Sequence, residues 1–405
     1  MNNHVIGGKT PQQALDSLHN MTADVSAIEE TEYRARLVKA QTYMQQHEIA
    51  AIYLNAGTNL AYFTGTHWGA SERLVGAILP AYGEVQYLVP IFEIATLQEY
   101  MSVTGPVHGW HEHECPYELF TKVLAQLHIT THAKIAMDES SPFFIFDGIN
   151  QLQSGHTIVN GKAVTAHCRM TKSPHELTLI QRAMDMTLEV HKAVASILYA
   201  GISTLEVAQF INQAHQKVGA SGSYFCIVLF GEATAYPHGV KNPQLLQDGD
   251  MVLVDTGCKL QGYTSDITRT YVYGQASQRQ RQRQVWQYEK QAQAAAFNAA
   301  QLGVTCEDVD NAARQSLEAN GLGPGYAIPG LPHRTGHGIG MDIHEWPYLV
   351  GGNLQPLEAG MCFSNEPMIC IPGEFGVRLE DHFYITEQGP RWFTQPSHNI
   401  DNPFG

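Results

Sequence analysis

The chain has 405 residues, more than one hydrophobic core usually holds, so its length predicts two domains. Its 24 Lys and Arg against 39 Asp and Glu give a net charge of −15, which argues against a protein that binds the phosphate backbone of nucleic acids. The hydrophobic fraction of 44% argues against disorder, and no run reaches the roughly 18 apolar residues of a membrane span. The seven cysteines form no C-x-x-C pair, so we expect a protein of a reduced compartment, the cytoplasm. From the charge and the lack of a long apolar run, we expect neither nucleic acid nor a membrane as a partner.

The first half of the chain alternates between helix and strand patterns. Tyr33, Leu37, Ala40 and Met44 recur at helical spacing, which predicts an amphipathic helix. Apolar runs then predict strands at 50–54, 59–64, 73–80, 85–90 and 134–137, and helices at 97–101, 117–127 and 142–152. This alternation is typical of an α/β domain, which we expect to span residues 1–163.

A strong helix start opens the second half, a domain expected at residues 164–405. Ser173 can cap the helix, Pro174 suits its first position, and Glu176 completes a capping box. Helices are expected at about 174–200, 205–218, 276–302 and 306–320, strands at 225–230, 251–258, 266–273, 361–370 and 376–386, and a Gly/Pro-rich loop at 321–336. Strands and helices grouped in this way predict an α+β domain with a largely antiparallel sheet.

Two carboxylates occur in strand segments where a plain hydrophobic core would not place them. Asp255 follows the apolar run Met251-Val-Leu-Val, and a carboxylate among buried valines is costly unless it is paired, hydrogen-bonded or bound to a metal. Gly257 and Gly262 can reverse the chain, which would bring Asp266 on the next strand back beside Asp255.

The same anomaly recurs towards the C-terminus. Glu366 and Glu380 interrupt two further strand segments, and His337 lies between two glycines. Each feature alone is more often an ordinary turn, edge or core residue than a ligand. Together, four carboxylates and one imidazole on neighbouring strands suit hard or borderline divalent ions such as Mn²⁺, and two bridging carboxylates suit a two-metal site.

Asp255, Asp266, His337, Glu366 and Glu380, in this order, resemble the five ligands of the pita-bread metallopeptidases, which include methionine aminopeptidase, Xaa-Pro aminopeptidase and Xaa-Pro dipeptidase. The resemblance is closest to the proline-specific branch in the motifs Tyr236-Pro-His238-Gly, Asp255-Thr-Gly, Gly262-Tyr-Thr-Ser-Asp266-Ile-Thr-Arg-Thr, Gly336-His337-Gly-Ile-Gly-Met-Asp-Ile-His344-Glu-Trp-Pro and Val377-Arg378-Leu-Glu380-Asp. It implies an α/β creatinase-type N-terminal domain followed by an α+β pita-bread (creatinase/aminopeptidase) C-terminal domain.

The resemblance also implies a role for each ligand. Asp255 would bind one metal ion through both oxygens, and Asp266 and Glu380 would bridge two ions. His337 would bind the second ion, and Glu366 would be a ligand that also takes the proton of the attacking water. Two divalent ions per chain are therefore expected, Mn²⁺ first, with Co²⁺ or Zn²⁺ as alternatives.

Four further residues match substrate-binding positions of the same branch. His238 and His344 match two histidines that steady the scissile carbonyl and its developing charge. His333 matches a histidine near the proline pocket, and Arg378 an arginine placed to bind a carboxylate or to brace the metal ligands. After Glu366-Pro, where the family often has Gly, an aliphatic residue and Tyr, this chain has the run 368–370 of Met, Ile and Cys, which bears on the pocket wall.

The implied activity is the hydrolysis of Xaa-Pro bonds by a hydroxide held between two metal ions. A dipeptidase acting on small Xaa-Pro peptides is favoured, and a homodimer is expected. The alternatives are an Xaa-Pro aminopeptidase that acts on longer peptides and a relative that hydrolyses a small non-peptide C–N bond, as the ectoine-degrading members do. An alternative of another class is a catalytically inactive binding module.

Overall fold

The structure is a computed structural model that describes residues 6–274 and 279–404. Contacts divide the chain into two compact units. The N-terminal unit is Ala27–Arg169, and the C-terminal unit comprises Met1–Ser26 together with Met170–Gly405. The division expected between residues 163 and 164 falls inside the last helix of the N-terminal unit, Lys162–Arg169.

Helices and strands alternate along the N-terminal unit and are grouped in the C-terminal unit. The helices are α1 (Pro11–Asp16), α2 (Glu30–Gln46), α3 (Thr58–Thr64), α4 (Ile94–Tyr100), α5 (Pro116–Gln126), α6 (Phe143–Gln151), α7 (Lys162–Arg169), α8 (Pro174–Ile197), α9 (Thr204–Lys217), α10 (Gln280–Ala299) and α11 (Cys306–Glu318). The strands are β1 (Ile49–Asn55), β2 (Gly76–Pro80), β3 (Gln86–Pro90), β4 (Val107–Trp110), β5 (Lys134–Met137), β6 (Thr157–Asn160), β7 (Phe225–Phe230), β8 (Met251–Gly257), β9 (Lys259–Leu260), β10 (Tyr263–Thr264), β11 (Ile267–Val272), β12 (Gly336–Gly338), β13 (Glu345–Leu349), β14 (Cys362–Asn365), β15 (Met368–Ile371), β16 (Phe375–Arg378), β17 (Asp381–Thr386) and β18 (Gly389–Trp392).

The N-terminal unit is built on one six-stranded sheet with the order β4-β3-β2-β1-β5-β6. Strands β1, β2 and β3 pair antiparallel, whereas β3–β4, β1–β5 and β5–β6 pair parallel. Helix α5 packs its apolar face, with Phe120, Val123 and Leu124, into the core beside this sheet. The α/β character expected for the first half is confirmed.

The strand expected at 59–64 is wrong, because this segment forms helix α3. Residues 59 to 64 are all buried, so the segment has no polar face to reveal a helical period. A short apolar run of this kind cannot be assigned to helix or strand by periodicity alone. Gly65, at φ +71°, ends the helix in the left-handed conformation that glycine adopts readily.

The C-terminal unit is an α+β arrangement with antiparallel sheets. One sheet has the order β11-β8-β7 and another β13-β12-β14-β17-β18, and a hairpin joins β15 to β16. Helices α10 and α11 pack on these strands through a common core that includes Trp286, Leu317, Phe363 and Phe383. The antiparallel sheet expected in this half is therefore confirmed.

Local sequence signals explain where the helices of this unit begin. The hydroxyl of Ser173 accepts the amide of Glu176 at 3.1 Å, and the Glu176 carboxylate accepts the amide of Ser173 at 2.8 Å. The expected capping box at the start of α8 is thus confirmed. The expected helix 276–302 begins at Gln280 as α10, and its first residues, up to 278, lie outside the described residues.

Two expected strands are each divided by a carboxylate. The segment 361–370 becomes β14 and β15, which are separated by Glu366 and Pro367, and the segment 376–386 becomes β16 and β17, which are separated by Leu379 and Glu380. Both glutamates therefore lie where the regular strand pairing is interrupted. No helix in the described part of the chain has both the length and the apolar character needed to cross a membrane.

A buried polar network lies behind β11 and joins it to the helices. His215 is fully buried, with its Nε2 atom 3.1 Å from the Thr187 hydroxyl and its Nδ1 atom 2.9 Å from the Ser223 hydroxyl. The Thr187 hydroxyl lies 2.7 Å from the hydroxyl of Ser265, the residue before Asp266. Burial lowers the pKa of His215 to about 4, so the imidazole is neutral in the folded protein at pH 7.

The pKa of His215 predicts a pH dependence of stability. The unfolded chain takes up a proton at this residue below pH 6.5, but the folded chain takes it up only near pH 4, so stability is lost as the pH falls through this window. At pH 5 the loss amounts to about 2 kcal/mol of the free energy of unfolding. Urea unfolding with a chelator at pH 7 and pH 5 should show that His215→Gln reduces the pH dependence by about this amount. Equal pH dependence in both proteins would contradict the prediction.

Candidate metal centre

Neighbouring strands bring three of the carboxylates together. Asp255 lies in β8, and β11 runs antiparallel to this strand with Thr268 opposite Asp255. Thr268 also bridges to Glu380, and its hydroxyl donates to Glu380 Oε2 at 2.7 Å. Asp266 directly precedes β11. The strand reversal expected after Asp255 is thus present.

His337 is held on β12 with one ring nitrogen facing carboxylates. Its Nδ1 atom lies 3.0 Å from the carbonyl oxygen of Gly338, a contact that orients the ring and directs Nε2 towards the carboxylates. This Nε2 atom is 3.1 Å from Glu366 Oε1 and 3.6 Å from Asp266 Oδ2. The hydroxyl of Ser364 accepts the His337 amide at 2.8 Å and donates to Glu366 Oε1 at 3.1 Å.

The two glycines beside His337 admit neighbouring strands. A Cβ atom at Gly336 would lie 2.0 Å from the carbonyl oxygen of Ser364 in β14, and one at Gly338 would lie 2.5 Å from the carbonyl oxygen of Glu345 in β13. The close approach expected from the glycines is therefore between backbones within the sheet, and it fixes the position of β12.

The carboxylates of this cluster lack protein partners for several of their oxygens. Asp255 Oδ1, Asp266 Oδ1 and Glu380 Oε1 are buried and have no hydrogen-bond partner among the described residues. Burial and the neighbouring carboxylates raise the pKa of Asp266 and of Glu380 well above the usual range. Burial also raises the pKa of Asp255, although Arg378 opposes it. A bound cation would satisfy these oxygens and remove the repulsion between them.

Arg378 is a guanidinium in direct contact with a carboxylate of the cluster. It is 4% exposed, and its Nη2 atom lies 2.5 Å from Asp255 Oδ2. Its Nε donates to the Thr268 hydroxyl at 3.1 Å and its Nη1 to the Pro237 carbonyl at 3.2 Å. All three nitrogens are thus engaged, and this side chain braces Asp255 and the segment before His238. A contact with a substrate carboxylate stays a prediction from the resemblance.

The donor set fits a divalent metal ion. With Arg378 counted, the four carboxylates carry a formal excess of three negative charges. Their oxygens and the imidazole of His337 are donors that Mn²⁺, Co²⁺ and Zn²⁺ accept. Four residues present ligand atoms within 4.8 Å of one another, namely Asp266, His337, Glu380 and His382. The last of these is absent from the sequence-based site.

The three histidines expected at the substrate lie around this cluster. The ring centroid of His344 is 4.2 Å from that of His337, with the ring edge-on. Partial desolvation, the neighbouring His337 and, more weakly, His238 lower the pKa of His344 to about 4, so its ring is neutral at pH 7. His333 bonds through Nδ1 to the carbonyl oxygen of Arg334 at 2.7 Å, and its Nε2 atom is buried without a partner among the described residues.

A buried ion pair on α11 holds the loop that carries His333. Arg314 Nε donates to Asp310 Oδ2 at 2.8 Å, and its Nη2 atom donates to the His333 carbonyl at 2.6 Å. Asp310 Oδ1 in turn accepts the amide of Thr335 at 3.0 Å and its hydroxyl at 2.7 Å. The pair thus fixes both sides of residue 334, which the sequence patterns did not reveal because the two partners lie on a distant helix.

A second buried ion pair lies next to His344. Lys172 Nζ is 2.5 Å from Glu345 Oε1, and both side chains are less than a tenth exposed. Glu345 directly follows His344 and is the first residue of β13. The pair anchors the end of the loop that presents His344.

Arg334 is a cation beside this group that the sequence analysis did not single out. Its guanidinium carbon lies 4.3 Å from the centroid of the Tyr348 ring, and its charge contributes to the lowered pKa of His344. No carboxylate within residues 6–274 and 279–404 forms an ion pair with it. A half-buried guanidinium that stacks on an aromatic ring and has no acidic partner can bind an anionic group of a ligand.

The sequence did hold a signal for His382. Alternate residues of a strand share one face, so a carboxylate ligand at Glu380 implies that His382, two residues on, faces the same way. Arg334, by contrast, is recognised by its contact with the ring of Tyr348. Tyr348 lies in β13, which follows the loop that carries His344, so no local sequence pattern links the two residues.

The chain belongs to metallopeptidase family M24, whose sequence model matches residues 178–387. The creatinase/prolidase N-terminal domain matches residues 36–171. The protein is therefore a metallopeptidase with a creatinase-type N-terminal domain and a pita-bread C-terminal domain. Membership of this family implies that it binds a divalent metal, in agreement with the buried acidic and imidazole cluster.

Individual relatives match nearly the whole chain. A Mycobacterium tuberculosis protein named "Probable dipeptidase PepE" is 34% identical over 360 residues, which cover 88% of this chain and 93% of that protein. The crystal structure of dipeptidase PepE from Mycobacterium ulcerans is 34% identical, with a TM-score of 0.83 over 93% of this chain and 99% of that chain. Recombinant prolidase from Thermococcus sibiricus is 30% identical, with a TM-score of 0.81 over 90% of this chain and 97% of that chain.

The unpaired oxygens predict a large stabilisation by metal. Mn²⁺ at about 100 times its dissociation constant should add about 2.7 kcal/mol per site to the free energy of unfolding. Asp266→Asn should abolish this gain and should be at least as stable as the parent protein in chelator, because it removes one repelling carboxylate. Asp185→Asn, on α8, is the matched control and should keep the gain. Thermal melts with chelator or Mn²⁺ provide the measurement, and an unchanged gain in Asp266→Asn would contradict the assignment.

Proposed function

We propose that the protein is a dipeptidase that hydrolyses Xaa-Pro dipeptides with two divalent metal ions per chain. The proposal depends on the observation that two features, a carboxylate cluster and a cation, lie in the same region. Buried carboxylate oxygens without protein partners suit metal ions, and Arg334, a cation without an acidic partner, suits the carboxylate of a short substrate. The names of the relatives, dipeptidase and prolidase, support the same class of substrate.

In this proposal the five expected ligands divide between two ions. Asp255 would hold one ion, His337 and Glu366 would hold the other, and Asp266 and Glu380 would serve both. Mn²⁺ is the first expectation, with Co²⁺ or Zn²⁺ as alternatives. When bound, such ions supply Lewis acidity that activates water and polarises the scissile carbonyl.

We assign the proton of the attacking water to Glu366. Its side chain is 14% exposed, against 9% for Asp255, 6% for Asp266 and 2% for Glu380. The Ser364 hydroxyl fixes one of its oxygens, so the carboxylate is oriented before the substrate arrives.

His344 and His238 are assigned to the developing negative charge on the scissile carbonyl. The ring of His344 lies against His337 on the loop that Glu345 and Lys172 anchor, so the donor is positioned before the reaction. A positioned donor stabilises the oxyanion more than the neutral carbonyl and thus lowers the barrier.

The proline side of the substrate is assigned to His333 and its loop, which Arg314 and Asp310 hold in place. An imide nitrogen has no hydrogen, so a site that makes no hydrogen bond to that nitrogen accepts proline without loss. Arg334, adjacent to His333, would pair with the free C-terminal carboxylate and so favour dipeptides over longer peptides. The cytoplasmic location and the homodimer remain predictions from the sequence.

The role of Arg334 predicts how the enzyme discriminates between substrates. Leu-Pro should be cleaved with a kcat/KM about 10- to 100-fold above that of Leu-Pro-amide, because the amide leaves Arg334 unpaired. Arg334→Met should lose a similar factor on Leu-Pro and little on the amide. Arg391→Met, on the distant strand β18, is the control. If Arg334→Met slowed the free acid and the amide equally, the assignment of the carboxylate would be wrong.

The role of His344 predicts a loss of turnover without a loss of metal. His344→Ala should reduce kcat by about 10²–10³, because one positioned donor to the oxyanion is removed. Metal content and the melting temperature in Mn²⁺ should stay near those of the parent protein. A large fall in melting temperature with nearly normal kcat would instead show that His344 has a structural role.

A further inference from the structure

His382 is a fully buried histidine whose ring nitrogens make no hydrogen bond of normal geometry among the described residues, and the Asp266 backbone lies near the ring. Its exposure is 0%, and neither Nδ1 nor Nε2 has a partner among the described residues. An imidazole contains one donor and one acceptor, and burying both unpaired costs free energy unless something else binds them. The other deeply buried histidines differ in this respect: His191 bonds to the Ile267 carbonyl at 2.9 Å, and His215 contacts two hydroxyls.

The strand β17 directs His382 towards the candidate metal centre. His382 pairs in register with Ser364, whose hydroxyl contacts both His337 and Glu366. The preceding residue, Asp381, points the opposite way and binds Arg269 at 2.7 Å. Strand alternation therefore places His382 on the face that carries the cluster.

The distances from a His382 ring nitrogen to the neighbouring ligand atoms are short enough for all of them to bind one metal ion. A ring nitrogen of His382 lies within 4.8 Å of ligand atoms of Asp266, His337 and Glu380, and its Nε2 atom is 4.0 Å from Glu380 Oε1. Two ligand atoms at about 2.0–2.2 Å from one ion are at most about 4.4 Å apart. Small side-chain rotations would bring the four atoms to these separations. At 4.0 Å, the contact with Glu380 is too long for a hydrogen bond.

We propose that His382 is a direct nitrogen ligand of the metal ion that His337 binds. This adds a sixth residue to the five expected ligands and gives one of the two ions a pair of imidazoles. Imidazole suits Co²⁺, Ni²⁺ and Zn²⁺ better than it suits Mn²⁺, so the ion beside His337 should favour these borderline metals, and the ion beside Asp255 keeps an all-oxygen donor set. The inference rests on the metal binding of the proposed function but not on its substrate.

Cobalt NMR tests this ligand directly. An imidazole bound to high-spin Co²⁺ gives a solvent-exchangeable ring N–H signal that is shifted far downfield in the proton spectrum. The protein loaded with Co²⁺ should give two such signals, one from His337 and one from His382. His344→Gln should retain both, which separates His382 from the histidine that lies against His337. A single signal in the parent protein, or the loss of a signal in His344→Gln, would overturn the proposal.

A substitution at His382 provides the second readout. His382→Gln should lose one N–H signal and bind one equivalent of Co²⁺ more than about 100-fold less tightly, beyond the loss of about 10- to 100-fold that is typical of a residue that only orients a ligand. His191→Gln, another fully buried histidine, is the matched control and should keep both signals. Two signals in His382→Gln would contradict the proposal. If this variant fails to fold, the spectra of the parent protein and of His344→Gln still decide.

The outcomes also separate this inference from the proposed function. A protein that binds two Co²⁺ ions and shows one imidazole signal has its metal centre without His382 as a ligand. A protein that binds no Co²⁺ contradicts both the ligand and the two-metal dipeptidase. A protein with two signals that does not cleave Xaa-Pro dipeptides supports His382 and contradicts only the substrate.

Discussion

Four carboxylates packed into a nearly dry interior repel one another, and this repulsion constrains the rest of the C-terminal unit. Arg378 offsets one charge by binding Asp255, and the Thr268 hydroxyl binds one oxygen of Glu380. Other oxygens of the cluster are buried without a partner among the described residues, so the protein alone leaves the cluster unsatisfied. Divalent cations would supply the missing charge, and the free energy of their binding would then contribute to the stability of the fold.

The surrounding structure keeps these groups in place before any ion binds. Ser364 orients both His337 and Glu366, while the ion pair of Arg314 and Asp310 on α11 fixes the loop before β12. Such support is expected of a hydrolytic site, because ligands that are held in place need little rearrangement during the reaction. The loops that carry His333 and His344, the residues proposed to contact the substrate, are anchored by buried ion pairs.

The sequence predicts much of this arrangement where the signal is local. The capping box at Ser173, the strand that carries Asp255 and its antiparallel return to Asp266 follow from residue types at short spacing. The helix at 58–64 could not be predicted, because a segment buried on all sides shows no period. The support from Arg314 and the stacking of Arg334 on Tyr348 could not be predicted either, since both depend on contacts between distant segments.

The central claim is that the buried carboxylates form a two-ion centre. Crystals grown with Mn²⁺ and measured at the manganese absorption edge test it most directly. The predicted result is two anomalous peaks about 3.5–4 Å apart, one beside Asp255 and the other beside His337, with Asp266 and Glu380 in contact with both. A single peak, or strong peaks only at surface carboxylates, would contradict the claim.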